Sequence, residues 1–123
     1  MRAVLDASAF VDDLLFDRAH GIDLVDAPTT FDIEVLSAVR KAELRGLIGA
    51  HEAADVLSVW RAMTIRRHGI PRLASRMWHF RHDITAADAS YVALAEALDV
   101  PLVTADRRLA RTAARYCDVI VPG

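Results

Sequence analysis

Apolar residues recur along the chain in two rhythms. Ala3-Val4-Leu5, residues 101–105 and Val119-Ile120-Val121 are short, continuous apolar runs, which read as buried strands of a parallel sheet. Between them apolar side chains return every three or four residues, the period of a helix with one buried face. Ser8 opens a helix over residues 8–15. Residues 17–26 are polar and turn-like around Gly21, with a short strand at 22–25. Pro28-Thr29-Thr30 starts the next helix, in which Phe31, Glu34, Val35, Ala38 and Ala42 share a stripe while Arg40, Lys41 and Glu43 look outward. Gly46 and Gly49 supply its stop. Helices follow over 51–67 and 72–80, separated by Gly69-Ile70-Pro71. Thr85 then has the form of an N-cap with an acid three residues on. In the helix it opens, Asp88, Tyr91, Val92 and Ala95 stand at i, i+3, i+4 and i+7, so this acid lies on the buried face. Asp99 closes that helix, and Pro101 forbids its continuation. A helix over 107–115 and the strand at 119–121 complete the pattern. Strands alternating with helices predict an α/β fold, a three-layer α/β/α sandwich around a central, mainly parallel sheet.

At 123 residues, with 54% hydrophobic and 26% charged content, the chain reads as a single globular domain over 1–123. No run approaches the roughly 20 apolar residues of a membrane span, and the acid within the first apolar run does not fit a signal peptide. A soluble, cytoplasmic protein with no membrane contact is expected. Cys117, the single cysteine, excludes an internal disulfide and reads as a free buried thiol. The net charge of −2 conceals an asymmetry, for residues 1–32 carry seven aspartates against Arg2 and Arg18. Residues 56–82 contain no acid, while Arg61, Arg66, Arg67, Arg72, Arg76 and Arg81 alternate with His68, His79, His82, Trp60, Trp78 and Phe80. Such a run is either a solvated helix face or the seat of a polyanion, and its sign suits a phosphate backbone.

Four acids occupy equivalent places in this pattern. Asp6 and Asp106 end strands, while Glu34 and Asp88 lie near the starts of inward-facing helices, so parallel strands bring all four to one end of the sheet. Helix capping accounts for Asp6, Asp88 or Asp106 taken alone. Together, four carboxylates repel and raise one another's pKa unless a cation sits among them, and hard oxygen donors at this density suit Mg²⁺ or Mn²⁺. That set fits metal-assisted phosphodiester hydrolysis, with Asp6, Asp88 and Asp106 as ligands, directly or through water. Glu34 is then a ligand or the base that orients the attacking water. No glycine-rich phosphate loop, nucleophile elbow or dinucleotide fingerprint occurs. His79 and His82, three apart, lack a carboxylate or cysteine partner nearby and read as exposed or RNA-facing. Trp60 and Trp78 read as core.

The segments Val4-Leu5-Asp6-Ala7-Ser8-Ala9-Phe10-Val11, Glu34-Val35-Leu36-Ser37-Ala38-Val39-Arg40, Thr85-Ala86-Ala87-Asp88-Ala89-Ser90-Tyr91 and Leu102-Val103-Thr104-Ala105-Asp106 resemble, in order, the four acidic motifs of PIN-domain nucleases. The resemblance spans nearly the whole chain and is nearest to VapC-type toxins, the ribonuclease halves of bacterial toxin–antitoxin pairs. It implies Mg²⁺ or Mn²⁺ dependence, endonucleolytic cleavage of RNA, a homodimer and an antitoxin partner. The family's acids fall on Asp6, Glu34, Asp88 and Asp106, with hydroxyls beside them at Ser8 and Thr104. A PIN-like scaffold that binds RNA or protein without cleaving, and a DNA-acting nuclease, are the rival readings.

Overall fold

The computed structural model describes residues 1–16 and 22–122 of the chain. Five strands, β1 (Arg2–Leu5), β2 (Leu24–Pro28), β3 (Ile65–His68), β4 (Leu102–Val103) and β5 (Val119–Ile120), form one sheet in the order β3-β2-β1-β4-β5, and every pairing is parallel. Among the described residues six helices connect them: α1 (Ala7–Phe16), α2 (Thr30–Leu44), α3 (Ala50–Ala62), α4 (Ala74–His79), α5 (Ala86–Leu98) and α6 (Arg107–Ala113). The strand order runs outward from β1 to β3, then returns to β4 on the other side of β1. Right-handed crossovers therefore put α1 to α3 on one face and α4 to α6 on the other. Phe10 of α1 meets Phe31 of α2 edge-on at 5.7 Å, and Phe80, after α4, meets Tyr116, after α6, at 4.5 Å. This is the expected α/β/α sandwich.

Local chemistry sets the element ends. Thr85 caps α5 by accepting the Asp88 N–H on Oγ1 at 3.4 Å, and Asp99 ends the helix in the left-handed region, which aspartate tolerates. Gly46, at φ 72°, turns the chain out of α2. Gly49 serves the next helix instead, its N–H donating to the Glu52 carboxylate at the start of α3. Residues 89–95 of α5 are all buried, so this helix is enclosed well beyond the expected stripe.

Three expectations need correction. The strand placed at 22–25 runs from Leu24 to Pro28, so Pro28 ends a strand rather than opening α2. The turn expected around Gly21 lies outside the described residues. The helix expected over 51–67 ends at Ala62, and Ile65-Arg66-Arg67-His68 forms the edge strand β3, in register with residues 25–28. Its polar side chains alternate as a strand requires. Arg66 and His68 reach the fully buried Asp26, at 3.9 and 2.9 Å, while Arg67 turns the other way to hold Asp32 through two bonds of 2.8 and 3.0 Å. Arg2 also grips Asp26 from β1, and Arg76 grips Glu96 of α5. The basic stretch is thus partly neutralised by acids distant in sequence. Trp60 packs partly buried and donates Nε1–H to Asp32 at 2.9 Å, whereas Trp78 is 68% exposed and is not core. Cys117 is a free, half-buried thiol whose pKa burial pushes up to about 11. No described helix is long and apolar enough to cross a membrane.

Candidate active site

The strand order reverses beside β1, where β2 lies on one side and β4 on the other. In an open parallel sheet that reversal leaves a crevice beyond the strands' carboxyl ends. Asp6 follows β1 there, Asp106 follows β4, Glu34 comes from the second turn of α2 and Asp88 from the first turn of α5. All four line one open pocket of about 270 Å³, which Ser8 and Lys41 share. A larger cavity of about 620 Å³, between the end of β3 and the last turns of α5, contains no acid. The convergence of carboxylates, rather than size, marks the site.

Asp6 is the most confined of the four, at 6% exposure. Its Oδ2 accepts from Ser8 Oγ at 2.8 Å and from Thr104 Oγ1 at 2.7 Å. Each hydroxyl is oriented by a backbone donor, since Ser8 Oγ accepts the Ala105 N–H and Thr104 Oγ1 accepts the Asp106 N–H, both at 3.1 Å. The two side chains beside the motif acids thus fix one carboxylate oxygen in place. Asp106 does two things: Oδ1 caps α6 by accepting from the N–H groups of Arg108 and Leu109, at 3.0 and 3.1 Å, and the side chain still lines the pocket. Capping and membership of the acid cluster are therefore compatible at this position.

Burial is the first cause of the raised pKa values of Asp6, Glu34 and Asp88. Mutual repulsion adds to it, from Asp88 on Asp6, from Asp6 and Asp88 on Glu34, and from Asp106 on Asp88. The expected repulsion is present, but desolvation outweighs it. Hydrogen bonds from Thr104 and Ser8 restrain the rise at Asp6, and one from Tyr91 restrains it at Glu34.

Tyr91 and Lys41 belong to the site without having been singled out in the sequence. Fully buried, Tyr91 donates its hydroxyl to Glu34 Oε1 at 2.6 Å, and burial first, then the charges of Asp6 and Glu34, raises its pKa so that it remains a donor. It stands three residues after Asp88 on the same stripe, a signal that in the sequence alone indicates packing. Lys41, read as outward-facing, lies two turns after Glu34 and brings a cation to the pocket's rim. Thr30 and Ser90 join hydroxyls at 3.0 Å and so tie the start of α2 to α5 behind the pocket.

Hard oxygen donors with raised pKa values are the chemistry that a divalent cation relieves. Among the described residues no three acid, histidine or cysteine side chains stand close enough together to hold a metal ion among them directly. Mg²⁺ does not need such a cage, because it keeps several waters and binds through one or two carboxylates together with substrate phosphate. The donor set fits such an ion held from one side.

The PIN domain model matches residues 3–115. The chain belongs to the PIN-domain family. Ribonuclease VapC9 of Mycobacterium tuberculosis is 38% identical over 122 residues, an alignment covering 96% of each protein. Ribonuclease VapC12 of the same organism is 40% identical over 116 residues, covering 89% of this chain and 90% of that protein. Among solved structures, the VapBC-5 toxin–antitoxin system member from Mycobacterium tuberculosis superimposes with a TM-score of 0.64 at 19% identity, over 98% of this chain and 96% of that one, a likeness of fold. In this PIN domain the four acidic positions thus come from the ends of β1 and β4 and the starts of α2 and α5, which meet at the sheet's reversal point.

Proposed function

We propose that this PIN domain is an endoribonuclease that hydrolyses RNA phosphodiester bonds with the help of Mg²⁺ or Mn²⁺, and that it is the toxin of a VapBC-type pair silenced by its antitoxin. The observation that carries the reading is the convergence of Asp6, Glu34, Asp88 and Asp106 on one open pocket, with Asp6 locked by two oriented hydroxyls. The names of the relatives, ribonucleases across nearly their whole length, support RNA as the substrate.

Asp6, Asp88 and Asp106 would hold the cation, directly or through water. A bound divalent ion supplies Lewis-acid polarisation of a phosphoryl oxygen and lowers the pKa of a bound water. Ser8 and Thr104 keep Asp6 Oδ2 committed to the protein, while Asp6 itself lines the pocket. Glu34 would orient the attacking water and take its proton, a role that its raised pKa and the Tyr91 bond to one of its oxygens support. Lys41 at the rim brings positive charge to the phosphate as it enters. No covalent intermediate is required, because water is the nucleophile.

For the antitoxin, α2 and α3 leave an apolar groove of about 580 Å³ lined by Leu36, Val39, Ala53 and Leu57, which suits an amphipathic helix. A basic side chain from the same partner, inserted among the four acids, would occupy the place of the cation. A homodimer in the cytoplasm completes this reading. Incubating labelled single-stranded RNA and DNA of matched sequence with Mg²⁺, Mn²⁺ or chelator tests it. RNA cut internally with metal and spared with chelator is the expected result; preferential cutting of DNA, or binding of RNA without cleavage under every condition, would overturn it.

A further inference from the structure

Trp78 stands out of the fold. Its neighbour Phe80 is 1% exposed, yet Trp78 is 68% exposed. Arg81 lies one turn further on, its guanidinium carbon 4.9 Å from the centre of the Trp78 ring. It is held there by an Nη1–H bond of 3.1 Å to the Trp78 carbonyl. A single exposed aromatic is ordinary on a protein surface. A tryptophan with a fixed cation over its ring, lining a cavity of its own, is a different feature. That cavity, about 280 Å³, is walled by Met77, Trp78, Arg81, Ile84 and Thr85. Ile84 and Thr85 also wall a narrow cleft of about 50 Å³ with Asp88 and Arg108, and Asp88 in turn lines the acid pocket. The three cavities thus follow one another across shared walls, Asp88 between the acid pocket and the cleft with Arg108, Ile84 and Thr85 between that cleft and the Trp78–Arg81 cavity.

We propose that the Trp78–Arg81 cavity is a base-stacking subsite, which takes an unpaired nucleobase of the RNA beside the scissile phosphate while Arg108 faces the intervening backbone. The inference rests on the nuclease reading and specifies how that site grips its substrate. Stacking on tryptophan tolerates any base, because every base presents a π face, and an adjacent arginine adds attraction for both ring and phosphate. A cavity of about 280 Å³ falls below the roughly 300 to 1,000 Å³ usual for larger ligands, which suits one planar ring system. Charge argues for a polyanion over a second copy of the chain. Residues 56–82 carry no acid, and Asp83, the first acid after them, lines the narrow cleft with Arg108 rather than the tryptophan cavity.

Wild type, Trp78→Ala and Trp78→Phe are compared on a short single-stranded RNA and on versions with an abasic site at each position near the cut. Two quantities are read: KM and kcat with Mg²⁺ or Mn²⁺, and the quenching of tryptophan fluorescence as the intact RNA is titrated in chelator. Trp78→Ala should raise KM by roughly 5- to 150-fold with a much smaller change in kcat, and Trp78→Phe should recover most of the loss. One abasic position should weaken the wild type by a similar factor and leave Trp78→Ala indifferent. RNA should quench the wild type more than Trp78→Phe, in which only Trp60 emits and reports that the fold is intact. If RNA is cut but KM, abasic sensitivity and quenching are independent of Trp78, the subsite is wrong while the nuclease reading stands. If no RNA is cut but RNA quenches Trp78, the nuclease reading fails and the subsite survives. Loss of self-association in Trp78→Ala with an unchanged RNA response would reassign this face to contact between copies.

Discussion

Glu34 and Tyr91 form the pair in which a single atom reveals most about the site. Removing the hydroxyl in Tyr91→Phe leaves the buried ring in place and strips Glu34 of the donor that favours its charged form. The carboxyl pKa should then rise further, so the acid limb of the kcat/KM profile should move to higher pH. Loss of a hydrogen bond to a charged group should cost about 1.5 to 3 kcal/mol of stability, read from denaturant melts. An unmoved acid limb would remove Glu34 from the proton-transfer step. The raised pKa values of Asp6, Glu34 and Asp88 also set a pH dependence of folding. Between the ordinary carboxylate range and the folded values the native protein binds more protons than the unfolded chain, so stability rises as pH falls through the folded values. Asp26, Asp32 and Glu96 have lowered pKa values, and their stabilisation is lost only as pH falls below the ordinary range. In chelator the melting temperature should therefore peak on the acid side of neutral, above about pH 4, and Asp6→Asn should flatten the slope between that peak and neutrality. A wild-type melting temperature climbing steadily from about pH 5 to 8 in chelator would contradict the buried repelling cluster.

At the scale of elements, β3 was the least legible part of the chain. No glycine or proline interrupts residues 51–68, so local pattern alone extended α3 through Arg67. The strand is specified by what lies across from it, the ladder to β2 and the alternating partners Asp26 and Asp32, which are tertiary facts. Arg67→Ala should accordingly weaken folding, by about 1 kcal/mol after allowance for its exposure, and leave the salt dependence of RNA binding unchanged. Asp32→Ala, which removes the acceptor of both Arg67 and Trp60, should cost about 1 to 3 kcal/mol. A flattened salt slope in Arg67→Ala would return this residue to the RNA path. By contrast α5 was legible almost to the residue, because Thr85, Asp99 and Pro101 are local signals that no distant contact overrides. Trp78 was misread for the opposite reason: a large aromatic at a helical position reads as core, and only the packing of Phe80 and Ile84 shows which side of the chain is already filled. The four acids were placed by topology, since parallel strands leave a single end at which they can meet; the hydroxyl clamp on Asp6 and the Tyr91 donor needed coordinates to be seen.

At the scale of the whole molecule one sheet carries one acid pocket, with an apolar groove between α2 and α3 and a cavity beside Trp78 as separate features of the surface. Antitoxin binding should slow hydrogen exchange in α2 and α3, which wall the groove, whereas protection confined to β5 would place the partner elsewhere. The central claim is that the convergent acids bind a metal to cut RNA rather than merely cap helices. Thr85 caps α5 and Asp88 stands in its first turn, where asparagine is nearly isosteric, so a purely structural role predicts that Asp88→Asn keeps its stability and any activity. The most direct test is cleavage of labelled RNA by wild type and Asp88→Asn, run beside thermal melts in chelator and in excess Mg²⁺ or Mn²⁺. The variant should fold, melt in chelator at or slightly above the wild-type temperature, lose cleavage, and gain less from added metal than the wild type does. Cleavage retained by Asp88→Asn, with a metal-induced rise in melting temperature equal to that of the wild type, would contradict the central claim.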